Sequence, residues 1–260
     1  MTDRTPLSSL LEFAVDLAWR AGRSTLAHFQ TDVAVEHKAD GTPVTVADRE
    51  AERLLRERIE ARFPAHGIIG EEFGSQRPDA ARRWILDPID GTKSFLRGVP
   101  LYGVMVALEE DGEAVLGVLH FPALSGETVY AARGHGCWWD GRRARVSEVA
   151  DLSRALLLTT DAELLPREGR AEAWDRLRSR AAFTRTWGDC YGHALVATGR
   201  AEAMLDPVLE TWDAAALAPI VDEAGGRFRD WSGDAIHTGG NGISTNAVLA
   251  EEVHALVRGS

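Results

Sequence analysis

The sequence predicts an α/β protein with mixed sheets arranged in layers. Three observations lead there. Apolar residues at helical spacing open the chain, a β-rich run with tight-turn signals fills its middle, and short strands alternate with helices through its second half. Pro6 to His28 reads as an amphipathic helix, because Leu7, Leu10, Leu11, Ala14, Leu17, Ala18 and Ala21 recur on one face. Asp40-Gly41 marks a turn, and Pro43 cannot sit inside a helix. A second helix is expected over about Asp48 to Arg62, with Ala51, Leu54, Leu55 and Ile59 on its apolar face and Asp48 capping its start. Gly67 to Gly70 reads as a short strand ending in Glu71-Glu72, and Trp84 to Leu86 as another ending in Asp87. Leu101 to Leu108 and Ala114 to His120 form two strands joined at Glu110-Asp111-Gly112. Glu127 to Ala132 and Gly136 to Trp139 continue the β run, with Asp140-Gly141 as a hairpin signal.

In the second half, Ala155 to Thr160, Ala203 to Leu205, Phe228 to Trp231 and Gly242 to Ser244 read as strands. Arg170 to Arg180, Asp189 to Thr198, Trp212 to Ala224 and Ala247 to Val257 read as helices, two of them closed by Gly199 and Gly225-Gly226. No repeat, low-complexity segment or clear linker interrupts the chain, so one domain or two closely joined lobes is expected.

At 260 residues the chain can bury a substantial core, and 45% apolar with 27% charged residues is ordinary for a soluble globular protein. A net charge of −11 argues against a broad grip on a phosphate backbone, so nucleic acid is not expected as a partner. A local group of acids can still work on a phosphate if metal ions reverse the local sign. Cys137 and Cys190 have neither a CxxC neighbour nor a nearby His at zinc-ligand spacing, which fits a reducing cytosol. The N-terminal MTDRTPLSSLLEF lacks the features of a signal peptide, and no apolar run approaches the roughly 20 residues of a membrane span. A cytoplasmic protein without a membrane partner is expected.

The stretch WILDPIDGTKSF carries the chemistry. Asp87 and Asp90 follow a short apolar strand, Pro88 fixes one φ, and Gly91 lets the backbone turn closely. Such a turn can aim both carboxylates and the Ile89 carbonyl at one point, and Gly91, Thr92 and Lys93 could open a helix whose N–H groups suit an anion. Carboxylate and carbonyl oxygens are what Mg²⁺ prefers, next to a phosphate. The competing reading is a capped turn. Taken singly, Glu71-Glu72 reads as a solvated acidic loop, Asp213 as a cap or first-turn acid of its helix, and Asp48 as a helix cap.

Together these segments resemble the inositol monophosphatase family of metal-dependent, lithium-sensitive phosphatases. DGTPVTVAD, GEE, LDPIDGT and WDAAALAPIVDEAGG occur in the family's order over nearly the whole chain. The resemblance implies the layered αβαβα sandwich of the inositol monophosphatase and fructose-1,6-bisphosphatase type. It implies an N-terminal lobe, residues 1–145, with most metal ligands, and a C-terminal lobe, residues 146–260, with Asp213 and the substrate pocket. Glu71, Asp87 and the Ile89 carbonyl should hold a first Mg²⁺; Asp87, Asp90 and Asp213 should hold a second, and a looser third would rest on Glu71. Thr92 and Asp48 should orient and help deprotonate the attacking water, with Glu71 in the catalytic group, and the Gly91 and Thr92 N–H groups should hold phosphate oxygens. Glu72 is at best a supporting acid, and Lys38 is either a charge balance or a solvated lysine. A homodimer is carried over from the family.

Two cations activate a water and stabilise the leaving oxygen, so no Cys, Ser or His nucleophile is needed, and neither GxSxG nor a P-loop is present. DGTKSF, where many inositol phosphatases have Asn in place of Ser94, GDCYG and the acidic Asp206 resemble the histidinol-phosphatase branch. That branch acts on L-histidinol phosphate, a small phosphomonoester with an α-ammonium, which acids near a pocket would favour over a neutral cyclitol. Alignment with the family puts Asp189 and Asp206 near the substrate's alcohol portion; a helix cap and a turn residue are their other readings. Arg97 reaches either the phosphate or solvent. His193 reads as packing or pocket wall, Trp138-Trp139 as core or a subunit interface, and Arg142, Arg143 and Arg145 as a solvated hairpin face. An inositol-1-phosphate or broad sugar-phosphate phosphatase is the alternative within the class. A non-catalytic metal-binding protein on the same scaffold is the alternative outside it.

Overall fold

The computed structural model describes residues 5–38 and 41–259. Helix α1 (Leu7–Leu26) leads into a small antiparallel hairpin, β1 (Val35–His37) with β2 (Pro43–Thr45). Of the expected turn there, Asp40 lies outside the described residues, while Gly41 has a φ of 86°. Helix α2 (Val46–Arg62) starts ahead of its apolar stripe, and its N-cap is Thr45 rather than Asp48. The Thr45 hydroxyl accepts from the Ala47 N–H at 3.1 Å, and Asp48 reaches back to the Thr45 N–H at 2.8 Å, forming a capping box.

The middle of the chain gives β3 (Gly67–Gly70), β4 (Gly74–Gln76), β5 (Arg82–Asp90), the short helix α3 (Thr92–Leu96), β6 (Gly103–Glu110), β7 (Glu113–Phe121), β8 (Glu127–Ala132), β9 (Gly136–Trp139) and β10 (Arg142–Arg143). These strands form one eight-stranded sheet in the order β10-β9-β8-β7-β6-β5-β3-β4. Neighbours are antiparallel except β3 and β5, which run parallel. Strand β5 outlasts the expected Trp84–Leu86. It continues to Asp90 across a register shift against β6 between Asp87 and Asp90, where Pro88 has no N–H to give the ladder.

The second half gives β11 (Leu156–Leu158), α4 (Leu164–Arg167), α5 (Ala171–Arg178), β12 (Phe183–Arg185), α6 (Asp189–Ala197), β13 (Ala203–Asp206), α7 (Thr211–Ala214), α8 (Leu217–Glu223), β14 (Arg227–Arg229), β15 (Gly242–Thr245) and α9 (Ala250–Arg258). Its five-stranded sheet has the order β12-β11-β13-β15-β14. The single helix expected over Trp212–Ala224 is two helices, α7 and α8. Pro219 lacks the N–H that would bond the Ala215 carbonyl of an unbroken helix, and in the first turn of α8 that missing donor costs nothing.

The layers follow from which face each side chain takes. Alternation along β5 sends Trp84 and Leu86 toward α1 and α2, where they meet Leu10, Leu17, Leu55 and Ile59. Ile85 faces the other way, into a core with Met105, Leu119 and Phe121 from the sheet and Ala194, Leu217 and Ile220 from α6 and α8. On the far side of the second sheet, Leu157 and Leu205 pack under Trp174, Leu177, Val253 and Leu256 of α5 and α9. The order is therefore α, β, α, β, α. Gly117 of β7 makes the middle layer close: a Cβ there would lie 2.1 Å from the Ala216 carbonyl oxygen. Among the described residues, no helix is long and apolar enough to cross a membrane. Cys137 and Cys190 are buried and free.

Candidate active site

Parallel pairing of β3 with β5 builds one edge of the site. Their register sets Gly70 beside Leu86, so the next residues, Glu71 just past the end of β3 and Asp87 within β5, lie side by side, and the Glu71 N–H donates to the Leu86 carbonyl at 3.2 Å. The Asp87 side chain takes the Ile89 N–H at 3.0 Å, which replaces a ladder bond lost at the register shift. Gly91, with φ 82° and ψ 40°, turns the chain into α3, and the Thr92 hydroxyl donates to the Ile89 carbonyl at 3.1 Å. Asp213 arrives from the second half, on the first turn of α7, where its carboxylate accepts from the Glu210 N–H at 2.8 Å. It closes a capping box there rather than serving as the N-cap, which is Glu210.

Asp87, Asp90 and Asp213 each offer a carboxylate oxygen, and these atoms lie within 4.8 Å of one another. No lysine, arginine or histidine among the described residues pairs with any of the three. Burial first, then the charges of Glu71, Asp90 and Asp213, push the Asp87 carboxyl well above its usual range. Burial and the charges of Asp189 and Asp213 do the same to Asp90, and burial raises Asp213 to about 7. One buried and two half-buried acids that repel one another, offering only hard oxygens, fit a hard divalent cation.

Glu71 sits beside this group and contacts Asp87, and Lys38 Nζ holds it at 2.8 Å. Lys38 also holds Glu72, at 2.6 Å. Burial opposes the Lys38 charge, but its bonds to the two glutamates outweigh it and raise the ammonium; burial pushes Glu72 up to about 7. Lys38 is thus a charge balance rather than a solvated lysine. Beneath the loop is a residue that the sequence does not announce. Glu52 of α2 is fully buried and accepts the Glu72 N–H at 2.7 Å, the Phe73 N–H at 3.2 Å and Arg56 at 2.7 Å. Its place three residues before Leu55 and seven before Ile59, on the apolar stripe, is the signal that could have found it. Asp48 is buried too, and burial raises its carboxyl. Its Oδ2 bonds to the Thr45 hydroxyl at 2.7 Å, and no hydrogen bond joins it to Thr92 among the described residues.

Next to the acids lies a cavity of about 90 Å³, walled by Asp90, Asp189, Asp206 and Asp213 with Leu164 and Val208 among the apolar residues. Asp189 lies in the first turn of α6, whose N-cap is Gly188, and reaches over Gly91, where a Cβ would meet its Oδ2 at 2.9 Å. Burial and Asp206 push Asp189 up to about 6, against Lys93 and a hydrogen bond with Ser94. DGTKSF and GDCYG therefore meet in space, Ser94 against Asp189. Asp206 ends β13 and is not a turn residue; its two oxygens accept from the Thr160 N–H at 3.1 Å and meet His193 at 3.2 Å. Arg97 is not brought into this cavity. It follows α3 and lines a larger one of about 640 Å³ with His28, His37 and Lys93, which holds none of the clustered acids.

A sandwich of this kind with carboxylates at its strand ends is the architecture of a metal-dependent phosphatase, and the chain belongs to the inositol monophosphatase family, whose profile matches residues 6–260. It is 46% identical over 249 residues to the histidinol-phosphatase of Chlorobaculum parvum, covering 95% of this chain and 96% of that one. It is 40% identical over 249 residues to the histidinol-phosphatase of Mycobacterium tuberculosis, covering 94% and 95%. An inositol monophosphatase structure from Zymomonas mobilis superposes with a TM-score of 0.88 at 33% identity, covering 98% of this chain and 100% of that one.

Proposed function

We propose that the protein hydrolyses L-histidinol phosphate to L-histidinol and phosphate by direct attack of water. The observation that carries this reading is the cavity beside the acid cluster, where Asp189 and Asp206 add two carboxylates beyond the metal-holding Asp90 and Asp213, which favours an alcohol portion carrying a cation over a neutral one. A substrate whose alcohol carries an ammonium gains there from the Asp206 charge, which adds to burial in raising Asp189. The identity to two histidinol-phosphatases over nearly the whole chain supports the same substrate.

Glu71, Asp87, the Ile89 carbonyl, Asp90 and Asp213 would hold two or three Mg²⁺ ions. Bound there, the cations would neutralise the phosphate, activate a water and stabilise the leaving oxygen. The lobe of residues 1–145 supplies most of these ligands, and the lobe of residues 146–260 supplies Asp213 and the cavity. The Gly91 and Thr92 N–H groups at the start of α3 receive phosphate oxygens. The Thr92 hydroxyl gives its proton to the Ile89 carbonyl, so its oxygen is left to accept from the attacking water. Asp48, whose burial strengthens it as a base, takes up the proton with Glu71. The same reading carries a cytoplasmic homodimer and sensitivity to lithium, as the family resemblance implies.

The test is initial-rate phosphate release with Mg²⁺, comparing L-histidinol phosphate with myo-inositol 1-phosphate. The expected outcome is a kcat/KM preference of about a hundredfold for the histidinol ester, about 2.7 kcal/mol of transition-state discrimination. Equal rates would keep the phosphatase and sink the substrate; no release from either would sink both.

A further inference from the structure

A line of hydrogen bonds runs along the wall of the cavity from β15 to Asp189, through four separate segments of the chain; Thr160, His193 and Asp206 line the cavity themselves. Ser244 Oγ lies 2.7 Å from His193 Nδ1, and His193 Nε2 lies 3.2 Å from Asp206 Oδ2. The other Asp206 oxygen accepts the Thr160 N–H at 3.1 Å, and the Thr160 hydroxyl oxygen accepts the Asp189 N–H at 2.8 Å. A carboxylate only accepts, so His193 Nε2 is the donor to Asp206, while Nδ1 and the Ser244 hydroxyl share the other hydrogen bond. His193 is 1% exposed and Ser244 0%, so solvent cannot stand in for either partner.

At its far end this line holds a residue that folding alone would not favour. Asp189 has a φ of 53°, in the left-handed region that residues with a side chain seldom adopt. It also brings a further carboxylate into a cavity already walled by Asp90, Asp206 and Asp213. Backbone strain and like charge coincide at one side chain, and that side chain lies over Gly91, at the turn into α3. A strained conformation persists where its surroundings over-determine it, and here the Thr160–Asp206–His193–Ser244 line supplies that constraint.

We propose that His193 is a positioning residue for substrate selection: by holding Asp206, and through it Thr160, it keeps the Asp189 carboxylate where the cationic nitrogen of the substrate's alcohol portion is received. This inference rests on the reading that the substrate is a cationic phosphomonoester. His193 itself touches no reacting atom. Losing it leaves the buried Asp206 carboxylate without its side-chain donor and frees Thr160 and Asp189 to shift. Recognition of the alcohol then suffers more than chemistry at the phosphate.

The experiment measures KM and kcat on the full chain with Mg²⁺, for L-histidinol phosphate and for glycerol 2-phosphate, whose alcohol is neutral. His193→Leu should raise KM for the histidinol ester about tenfold with kcat within about threefold, and move glycerol 2-phosphate by at most about threefold. His193→Gln returns a donor to Asp206 and should recover most of the lost KM. Asp189→Asn should lose the same discrimination directly. The inference is overturned if His193→Leu lowers kcat/KM equally for both esters, which is what a merely structural tie would do. It is also overturned if Asp189→Asn loses the preference while His193→Leu keeps it. Should His193→Leu not fold, Ser244→Ala cuts the line at its other end, and the same ratio decides. A wild-type protein without preference for the histidinol ester overturns the substrate reading instead, before any variant is made.

Discussion

Asp87 is pressed from three sides, by Glu71, Asp90 and Asp213, inside a buried site. Without a cation, that repulsion is a cost to the fold; with one, it becomes affinity. Asp87→Asn keeps the oxygen that accepts the Ile89 N–H and removes the charge. Its phosphate release should fall at least about a hundredfold. In excess EDTA, however, its melting temperature should lie above that of the wild type, and the gain should fade as pH falls from the raised range of the folded site to the ordinary carboxylate range and be gone below it. There the acid is protonated in folded and unfolded chains alike. A variant less stable than wild type in EDTA would contradict the repulsion. The clustered acids were legible because motifs fix them at strand ends and helix starts. Glu52, Thr160 and Ser244 were not, since each matters through a partner from a distant segment; His193, read as packing or pocket wall, does line the cavity, but its bonds to Ser244 and Asp206 were not legible. Arg97 shows the converse: one residue past α3 the chain has turned toward the other cavity.

Elements work here by holding loops. Helix α2 contributes Asp48 to its own cap and Glu52 to the loop that carries Glu71 and Glu72. Glu52→Ala would orphan the Glu72 and Phe73 N–H groups and strip Arg56 of its buried partner, a loss of about 3 kcal/mol. The midpoint of urea unfolding checks the stability, and the Mg²⁺ concentration for half-maximal rate, expected to rise, checks the loop. Most helices and strands could be read from periodicity, because α1, β7 and β8 carry long apolar patterns. The β1–β2 hairpin, β4 and β12 could not, since strands of three residues have too few positions to show an alternation. The split between α7 and α8 was written in Pro219, but the apolar run around it hides the break.

On the scale of the whole molecule, the layers depend on groups that stay neutral. His120 of β7 is buried where a Cβ on Gly22 of α1 would meet its ring at 2.5 Å, and burial lowers its pKa to about 4. The unfolded chain protonates this histidine below about 6.5, while the fold resists until about 4. The His120 contribution to stability should therefore fall as pH drops through that window, by about 1.4 kcal/mol per unit and about 3 kcal/mol in all, against the opposite contribution of the raised acids. His120→Gln should flatten that part of a stability curve measured from pH 7 to pH 4. The second sheet and its helices meet the first through α6 and α8, and the tightest point of that meeting is the bare Cα of Gly117 beneath the Ala216 carbonyl. Backbone against backbone leaves no room to slide, so any relative movement of the halves must rock about this point. Asp213 stands three residues from that fulcrum, and Asp87 two strands away in the same sheet. The lever arms to the clustered acids are short, and the molecule can breathe at its rims while their spacing hardly changes.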